Sequence, residues 1–426
     1  MSVPTLRWLQ IHRYEQFDPV RIEFSAHENL ILGVNGAGKT RLLKLLRAVL
    51  SMDFSELRAQ HFDVEFELLT SRARNAESAV IIRGRVQDEA VDISEGPDGL
   101  TGSMPRQGVS LAAMLTFETE DAKFTCKLKN GEMTIRESGG VFEEVVSYYG
   151  DGSLLPIFPR SHTGEAARKI VNIYRTCGSA FVSEADQEFQ FLTRDVEYSV
   201  TTTVDSQHRE KRFSINPAPW LNRLLSHDLF PLILRVVTRM ESDSGSTGLP
   251  TFPPDGAELL PQLCGAIRAE HVRYFPKIVR EMGDLIEGRG LGLRVRFLDG
   301  AEVADSELTF GQRRFLYAGL MLMAHPNAPF LMDEVDNGLH PRLVETLLNL
   351  LAGRQLFLAS HNKLIIDYTN FDGPEDVRKK IHVVERGDDG RQTVHNFDDE
   401  TARTVYEKIA VAIQSPSEVL LAEGLW

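Results

Sequence analysis

The chain has 426 residues, 42% hydrophobic and 25% charged, with 47 Lys and Arg against 61 Asp and Glu for a formal net charge of −14. That length and composition fit a folded globular protein of two or three lobes and exclude a disordered or fibrous chain, while the acidic balance argues against a generally basic nucleic-acid coat. No run approaches the roughly eighteen apolar residues of a membrane span, and Met1-Ser2-Val3-Pro4 lacks the regions of a secretory signal, so a cytoplasmic location with no membrane partner is expected.

In chain order, Thr5 to His12 and Val20 to Phe24 read as two strands. The apolar strand Asn29 to Leu32 then runs into Gly33-Val34-Asn35-Gly36-Ala37-Gly38-Lys39-Thr40, which fits the G-x-x-x-x-G-K-[ST] phosphate-binding pattern and opens a predicted helix, Lys39 to Leu50. Glycines let the backbone fold tightly, so that N–H groups and the positive end of the helix converge on phosphate oxygens. Gly33, Asn35, Gly36, Ala37, Gly38, Lys39, Thr40 and Arg41 are therefore candidate ATP-binding residues. Lys39 is expected to reach the β- and γ-phosphates, and the Thr40 hydroxyl to bind Mg²⁺.

Asp63 to Gly139 is strand-rich, with alternation from Asp63 to Leu68 and a hairpin expected at Asn130-Gly131 between Phe124 to Leu128 and Met133 to Ile135. From about Gly164 to Glu287 the sequence reads as mostly helical, with strand-like material around Ala180 to Ser214 and helices expected over Trp220 to Met240 and Ala257 to Ile286. Between those helices lie Ser242 to Gly248 and three prolines, the composition of a surface loop. Cys126, Cys177 and Cys264 are widely spaced and form no C-x-x-C pair, which points to buried small residues and away from a disulfide framework or a zinc site. Arg289, Arg294 and Arg296, and the basic side chains of His208 to Arg212, read either as a solvated face or as a local basic groove.

Leu308-Thr309-Phe310-Gly311-Gln312-Arg313-Arg314 precedes a predicted helix, Gln312 to Ala324, which leads to the short apolar strand Pro329 to Met332. That strand ends in Asp333 and Glu334. Asp333 is suited to hold Mg²⁺, directly or through water, and Glu334 to polarise an attacking water. Val335-Asp336-Asn337-Gly338-Leu339-His340-Pro341 follows, and after the strand candidate Gln355 to Ala359 comes Ser360-His361-Asn362.

Taken in this order, the segments resemble the ABC-type ATPases. Leu308 to Gln312 is similar to their L-S-x-G-Q signature with Thr309 for serine. Asp336 to Pro341 looks like the D-loop in the N-G-L-H-P form of the OLD-like and AAA15 groups, and His361 resembles their switch histidine. The resemblance covers Leu30 to Thr40 and Thr309 to Asn362, and no Q-loop glutamine is assigned. It implies an α/β fold: an ABC-type P-loop core, an antiparallel β-subdomain and a compact, mainly helical insertion. The corresponding division is 1–150 for the first half of the core with the β-subdomain, 151–290 for the insertion, and 291–426 for the second half with a C-terminal tail.

The resemblance also implies a mechanism. Thr309, Gly311 and Gln312 of one copy would complete the ATP site of another, Asp336 would couple the two sites, and Glu334 and His361 would serve hydrolysis. Stand-alone ATPases of this kind occur in anti-phage systems such as PARIS and Septu. Length and the lack of an appended nuclease favour the PARIS type, whose effector partner is a Toprim-type nuclease and whose trigger would be phage-encoded. The alternatives are a DNA-repair or chromosome-associated ATPase that clamps DNA, and a nuclease in its own right. For the last, Ser417 to Gly424 reads as the first strand and acidic turn of a Toprim domain or as a plain strand with an exposed Glu423, and a lone Glu423 cannot build a two-metal site.

Overall fold

A computed structural model describes residues 5–57, 60–71, 79–88, 111–118, 123–129, 132–138, 143–147, 154, 180–182, 196–205, 208–217, 259–282, 285–324, 328–411 and 415–425. Its strands and helices in chain order begin with β1 (Thr5–Tyr14), β2 (Val20–Glu23), β3 (Glu28–Leu32) and α1 (Lys39–Ser51). Six strands follow: β4 (Phe62–Ser71), β5 (Ala79–Asp88), β6 (Leu111–Glu118), β7 (Lys123–Lys129), β8 (Glu132–Glu137) and β9 (Glu143–Ser147). After β10 (Ala180–Val182), β11 (Val196–Asp205) and β12 (His208–Pro217) come α2 (Leu259–Ala266), β13 (Ala269–Met282), β14 (Leu285–Phe297) and β15 (Glu302–Ala304). The rest are α3 (Phe310–Ala324), β16 (Phe330–Met332), α4 (Pro341–Leu350), β17 (Leu356–Ser360), α5 (Pro374–Lys380), β18 (Ile381–Arg386), β19 (Gln392–Asn396), α6 (Asp399–Val411) and α7 (Pro416–Ala422).

The fold is α/β with a P-loop core and a large antiparallel sheet, as expected. The chain divides into two compact units, one of Met1–Phe181, Asn327–Val335 and Gly353–Trp426, the other of Val182–Pro326 and Asp336–Ala352. In the first, β16, β17, β3 and β18 lie side by side and parallel, with β19 antiparallel at the edge. The central β16 and β17 are nearly all apolar because both faces are covered, and every one of their residues is buried. The antiparallel sheet, in the order β2-β1-β4-β5-β6-β7-β8-β9, instead alternates buried and accessible positions, as in β6 and β7. Lys129 pairs with Glu132 across β7 and β8, as a two-residue hairpin requires, and the connection at 130–131 lies outside the described residues. Cys126 and Cys264 are buried free thiols, and burial pushes the Cys126 thiol up to about 12; Cys177 lies outside the described residues.

A buried polar network sets the register at the start of the parallel strands. The Gln355 side chain bonds both main-chain groups of Leu6, and Asn29 Nδ2 donates to the Leu356 carbonyl at 3.0 Å. His382 is fully buried between Asn29 Oδ1, 3.2 Å from its Nε2, and the Asn396 amide, 3.0 Å from its Nδ1. Burial holds its pKa down at about 3, so the ring is neutral when folded and takes up a proton only in the unfolded chain. The stability it contributes is therefore intact above about pH 6.5 and lost as the pH falls toward 3, at about 1.4 kcal/mol per pH unit at most. His382→Gln keeps a donor and an acceptor without the titration. Its unfolding midpoint should fall less than that of the wild type between pH 7 and pH 4, and equal falls in chemical denaturation would refute this.

Two expected elements differ. The helix expected over Ala257 to Ile286 is helical only as α2. Arg268 turns into the left-handed region at φ 60°, and the chain continues as the β13–β14 hairpin, Pro276 sitting at a break in its register. With β11, β12 and β15 this forms a second antiparallel sheet, so the described part of 151–290 is strand-rich rather than mainly helical. The expected helix over Trp220 to Met240 and the loop over Ser242 to Gly248 lie outside the described residues. The second correction concerns Ser417 to Gly424, which is not a strand but the helix α7 and its end. Pro416 occupies the first turn, Glu418 Oε2 accepts from the Ser415 N–H at 3.1 Å, and Ser417 bonds both carboxylate oxygens of Asp367 at 2.8 Å. Glu423 ends that helix in an ion pair with Lys408, so neither reading as a strand holds.

Candidate nucleotide site

Parallel pairing brings the predicted residues of the first unit together. Leu32 lies opposite Ser360, and Met332 opposite Leu358, so the phosphate loop, Asp333-Glu334 and His361 all leave the same carboxyl ends of β3, β16 and β17. This edge is where α/β sheets place their ligands.

The glycines have separate jobs. A side chain at Gly33 would place its Cβ 2.3 Å from the Val384 carbonyl of β18, and Gly36 and Gly38 take φ of +81° and +116°. The tip residues Val34, Asn35 and Gly36 are exposed, whereas Ala37 is fully buried at the start of α1. Lys39 is 4% exposed and extends its ammonium back along the loop, donating to the carbonyls of Gly33 at 2.9 Å and Val34 at 3.3 Å and pairing with Glu334 Oε1 at 3.4 Å. The Thr40 hydroxyl donates to Asp333 Oδ2 at 2.6 Å. That hydroxyl and that carboxylate are a donor set of the hard oxygen type Mg²⁺ prefers, and they stand beside a helix N-terminus suited to phosphate.

Glu334 is buried and takes φ +47°, a left-handed conformation uncommon for a residue with a side chain. Its Oε2 lies 2.5 Å from His361 Nδ1 and its Oε1 faces Lys39. The Val335 N–H donates to the Ala359 carbonyl at 3.0 Å and anchors the chain directly after the strained residue. Strain held by neighbouring bonds in this way is a feature of functional sites. Arg41 points to the β1–β2 connection, pairing with Glu15 at 3.0 Å and donating to Gln16 at 3.4 Å.

The remaining predicted residues belong to the second unit and are described within it. Thr309 caps α3: its hydroxyl oxygen accepts the Gln312 N–H at 3.4 Å, and Gln312 Oε1 in turn accepts the Thr309 N–H at 3.2 Å. This is the reciprocal bonding of a capping box. A Cβ on Gly311 would meet the Gly338 carbonyl at 2.3 Å, so the signature-like and D-loop-like turns are packed main chain to main chain. Asp336 is half-buried in that second turn. Of the basic residues, Arg294 pairs with Glu302 at 3.4 Å and Arg296 with Glu270 at 3.1 Å, which favours the solvated face over a groove. The side chains of Arg289 and of His208 to Arg212 lie outside the described residues. Among the described residues no helix is long and apolar enough to cross a membrane.

Sequence reasoning missed Gln392, whose side chain lies against Gly38 of the phosphate loop. It sits some 350 residues further along in an edge strand, and no local pattern marks it.

Residues 9–150 match the family described as "AAA domain", and residues 184–367 the family described as "AAA domain, putative AbiEii toxin, Type IV TA system". No curated protein matches the chain. Similar solved structures include an Smc head bound to the C-winged helix domain of ScpA, at 12% identity and a TM-score of 0.43, covering 93% of this chain and 99% of that one. An Smc head with an extended coiled coil, bound to the C-terminal domain of ScpA derived from Pyrococcus furiosus, has 11% identity and a TM-score of 0.42 over 96% and 100% of the two chains. The recombination mediator protein RecF-ATPrS has 12% identity and a TM-score of 0.37 over 93% and 99%.

Proposed function

We propose that this chain is an ABC-type, OLD-like ATPase that binds and hydrolyses ATP between two copies of itself and so controls a separate effector, a Toprim-type nuclease, in defence against phage. The observation that carries the ATPase part is the convergence of Lys39, Thr40, Asp333, Glu334 and His361 at one edge of the parallel strands. In the reaction, Lys39 exchanges its carbonyl partners for the β- and γ-phosphates, and the loop N–H groups and α1 hold the remaining phosphate charge. Thr40 and Asp333 would hold Mg²⁺, which when bound neutralises charge on the phosphate oxygens. Glu334 orients the attacking water, and His361, hydrogen-bonded to the same carboxylate, keeps it aimed and ties its position to the chain that follows β17.

The signature-like turn is read as the part that covers a partner copy's nucleotide, with Asp336 coupling the two sites. The defence role draws support from the motif resemblance and from the match to a family whose description includes a toxin–antitoxin system; stand-alone ATPases of this appearance include AriA of the PARIS system, the favoured reading, and PtuA of the Septu system. Because the two nucleotide states differ in affinity for the effector, a phage-encoded trigger can shift the population toward release or activation.

Two measurements test this. The purified chain should turn over ATP with Mg²⁺ and lose that activity with a chelator. In cells challenged with phage, protection should require both the chain and the product of a neighbouring gene. Full protection by the chain alone, or cleavage of nucleic acid by the pure chain, would refute the effector part.

A further inference from the structure

The corner of the phosphate loop is Gly38, at φ +116°, and no side chain caps the helix that starts there. A Cβ at Gly38 would lie 2.7 to 2.8 Å from Cδ, Nε2 and Oε1 of Gln392, so the amide of Gln392 lies flat against the glycine. Gln392 is 2% exposed, and its Oε1 is buried without a hydrogen-bond partner among the described residues. An unpaired buried amide oxygen is costly, and a leucine would fill the same space without that cost. The polarity must be accounted for by what it touches, and it touches the electropositive start of α1.

The strand that carries Gln392 is fixed from the other side. Its N–H donates to the Gln16 carbonyl and its own carbonyl accepts from the Asp18 N–H, both at 2.8 Å. Gln16 and Glu15 bind the guanidinium of Arg41, and the Tyr14 hydroxyl donates to the Arg41 carbonyl at 3.2 Å. The β1–β2 connection and β19 therefore form a collar around the first turn of α1, with the Gln392 amide as its contact with the loop itself.

We propose that Gln392 is a positioning residue for nucleotide binding: acting through Gly38, its amide holds the loop corner on the path that points the loop N–H groups at the phosphates. This rests on the ATPase reading above. It predicts a change in affinity and not in the chemical step, because Glu334, His361 and Asp333 follow other strands, β16 and β17.

The test uses the full chain with Gln392→Leu and Gln392→Glu, which preserve volume and the main-chain bonds of β19. Affinity for a fluorescent ATP analogue, KM and kcat for ATP, and the nucleotide-free melting temperature are measured. Gln392→Leu should weaken affinity and raise KM about tenfold, the scale of losing the amide dipole's contact with the positive start of α1. Gln392→Glu should weaken them more, since it would place a negative charge against the loop proposed to bind the triphosphate, while kcat at saturation stays within about twofold of wild type in both. Wild-type affinity in both variants would overturn the inference, as would an equal loss of kcat. Poor folding of Gln392→Leu with unchanged affinity in Gln392→Glu would assign a packing role alone and also overturn it. No ATP binding by the wild type would refute the ATPase reading, and this inference with it.

Discussion

Lys39→Ala is expected to abolish ATP binding, and Glu334→Gln to preserve binding while turnover collapses. The lysine is a buried cation held on two carbonyls and a carboxylate, so its removal leaves the phosphate charge without its main counterion, a loss of at least about a hundredfold in affinity. Glu334→Gln has the same shape, and Lys39 keeps its bonds to the Gly33 and Val34 carbonyls, so the loop is retained. It cannot take part in polarising water, and a fall of about 10² to 10⁴ in kcat is the scale for such a group. Nucleotide titration and steady-state turnover on both variants separate the two roles. Equal ATP binding by wild type and Lys39→Ala would remove the phosphate-loop assignment, and full turnover by Glu334→Gln would remove the proposed base.

Gly311→Asp is expected to abolish turnover for two reasons, one of which is visible only in the fold. In the proposed two-copy arrangement its carboxylate would repel phosphate in the partner copy's site, and its Cβ would collide with the Gly338 carbonyl, displacing the turn that carries Asp336. Mixing this variant with Lys39→Ala allows a dimer with one undamaged phosphate loop facing one undamaged signature-like turn. At equal mixing about a quarter of wild-type turnover should return if half the dimers are mixed and each has one working site. No recovery in dimers verified as mixed would mean that the two segments act within one copy. Thr309→Ala serves as the milder companion, since it removes a hydroxyl and a helix cap without touching Gly338.

The positions of the glycine loop and the acidic strand end were legible because their residue patterns are local. Gly36, Gly38, Lys39 and Thr40 must follow a strand and open a helix at fixed spacing, and a strand buried on both faces must be a continuous apolar run. The loop, β16 and β17 are therefore found within a residue or two of where their patterns place them. Where two structures share a pattern, local reading fails. Ala269–Met282 has enough apolar residues for a helix, but the left-handed Arg268 and pairing with β14 make it a strand. Ser417 to Gly424 has the apolar run of a strand, but the cap from Ser415 and Glu418 and the bonds of Ser417 to Asp367 make it a helix.

The identities of the proposed reacting groups thus come from the linear chain, because phosphate binding and water polarisation demand particular residue types at particular offsets. Their assembly does not. The parallel register that levels Gly33 with His361, the left-handed turn that aims Glu334 at both Lys39 and His361, and the seating of Gln392 on Gly38 bring together residues tens to hundreds of positions apart. Such contacts depend on which strands pair and in what order, a choice made by burial of the whole core and by the network around Asn29, Gln355 and His382, with no trace in any short window of sequence.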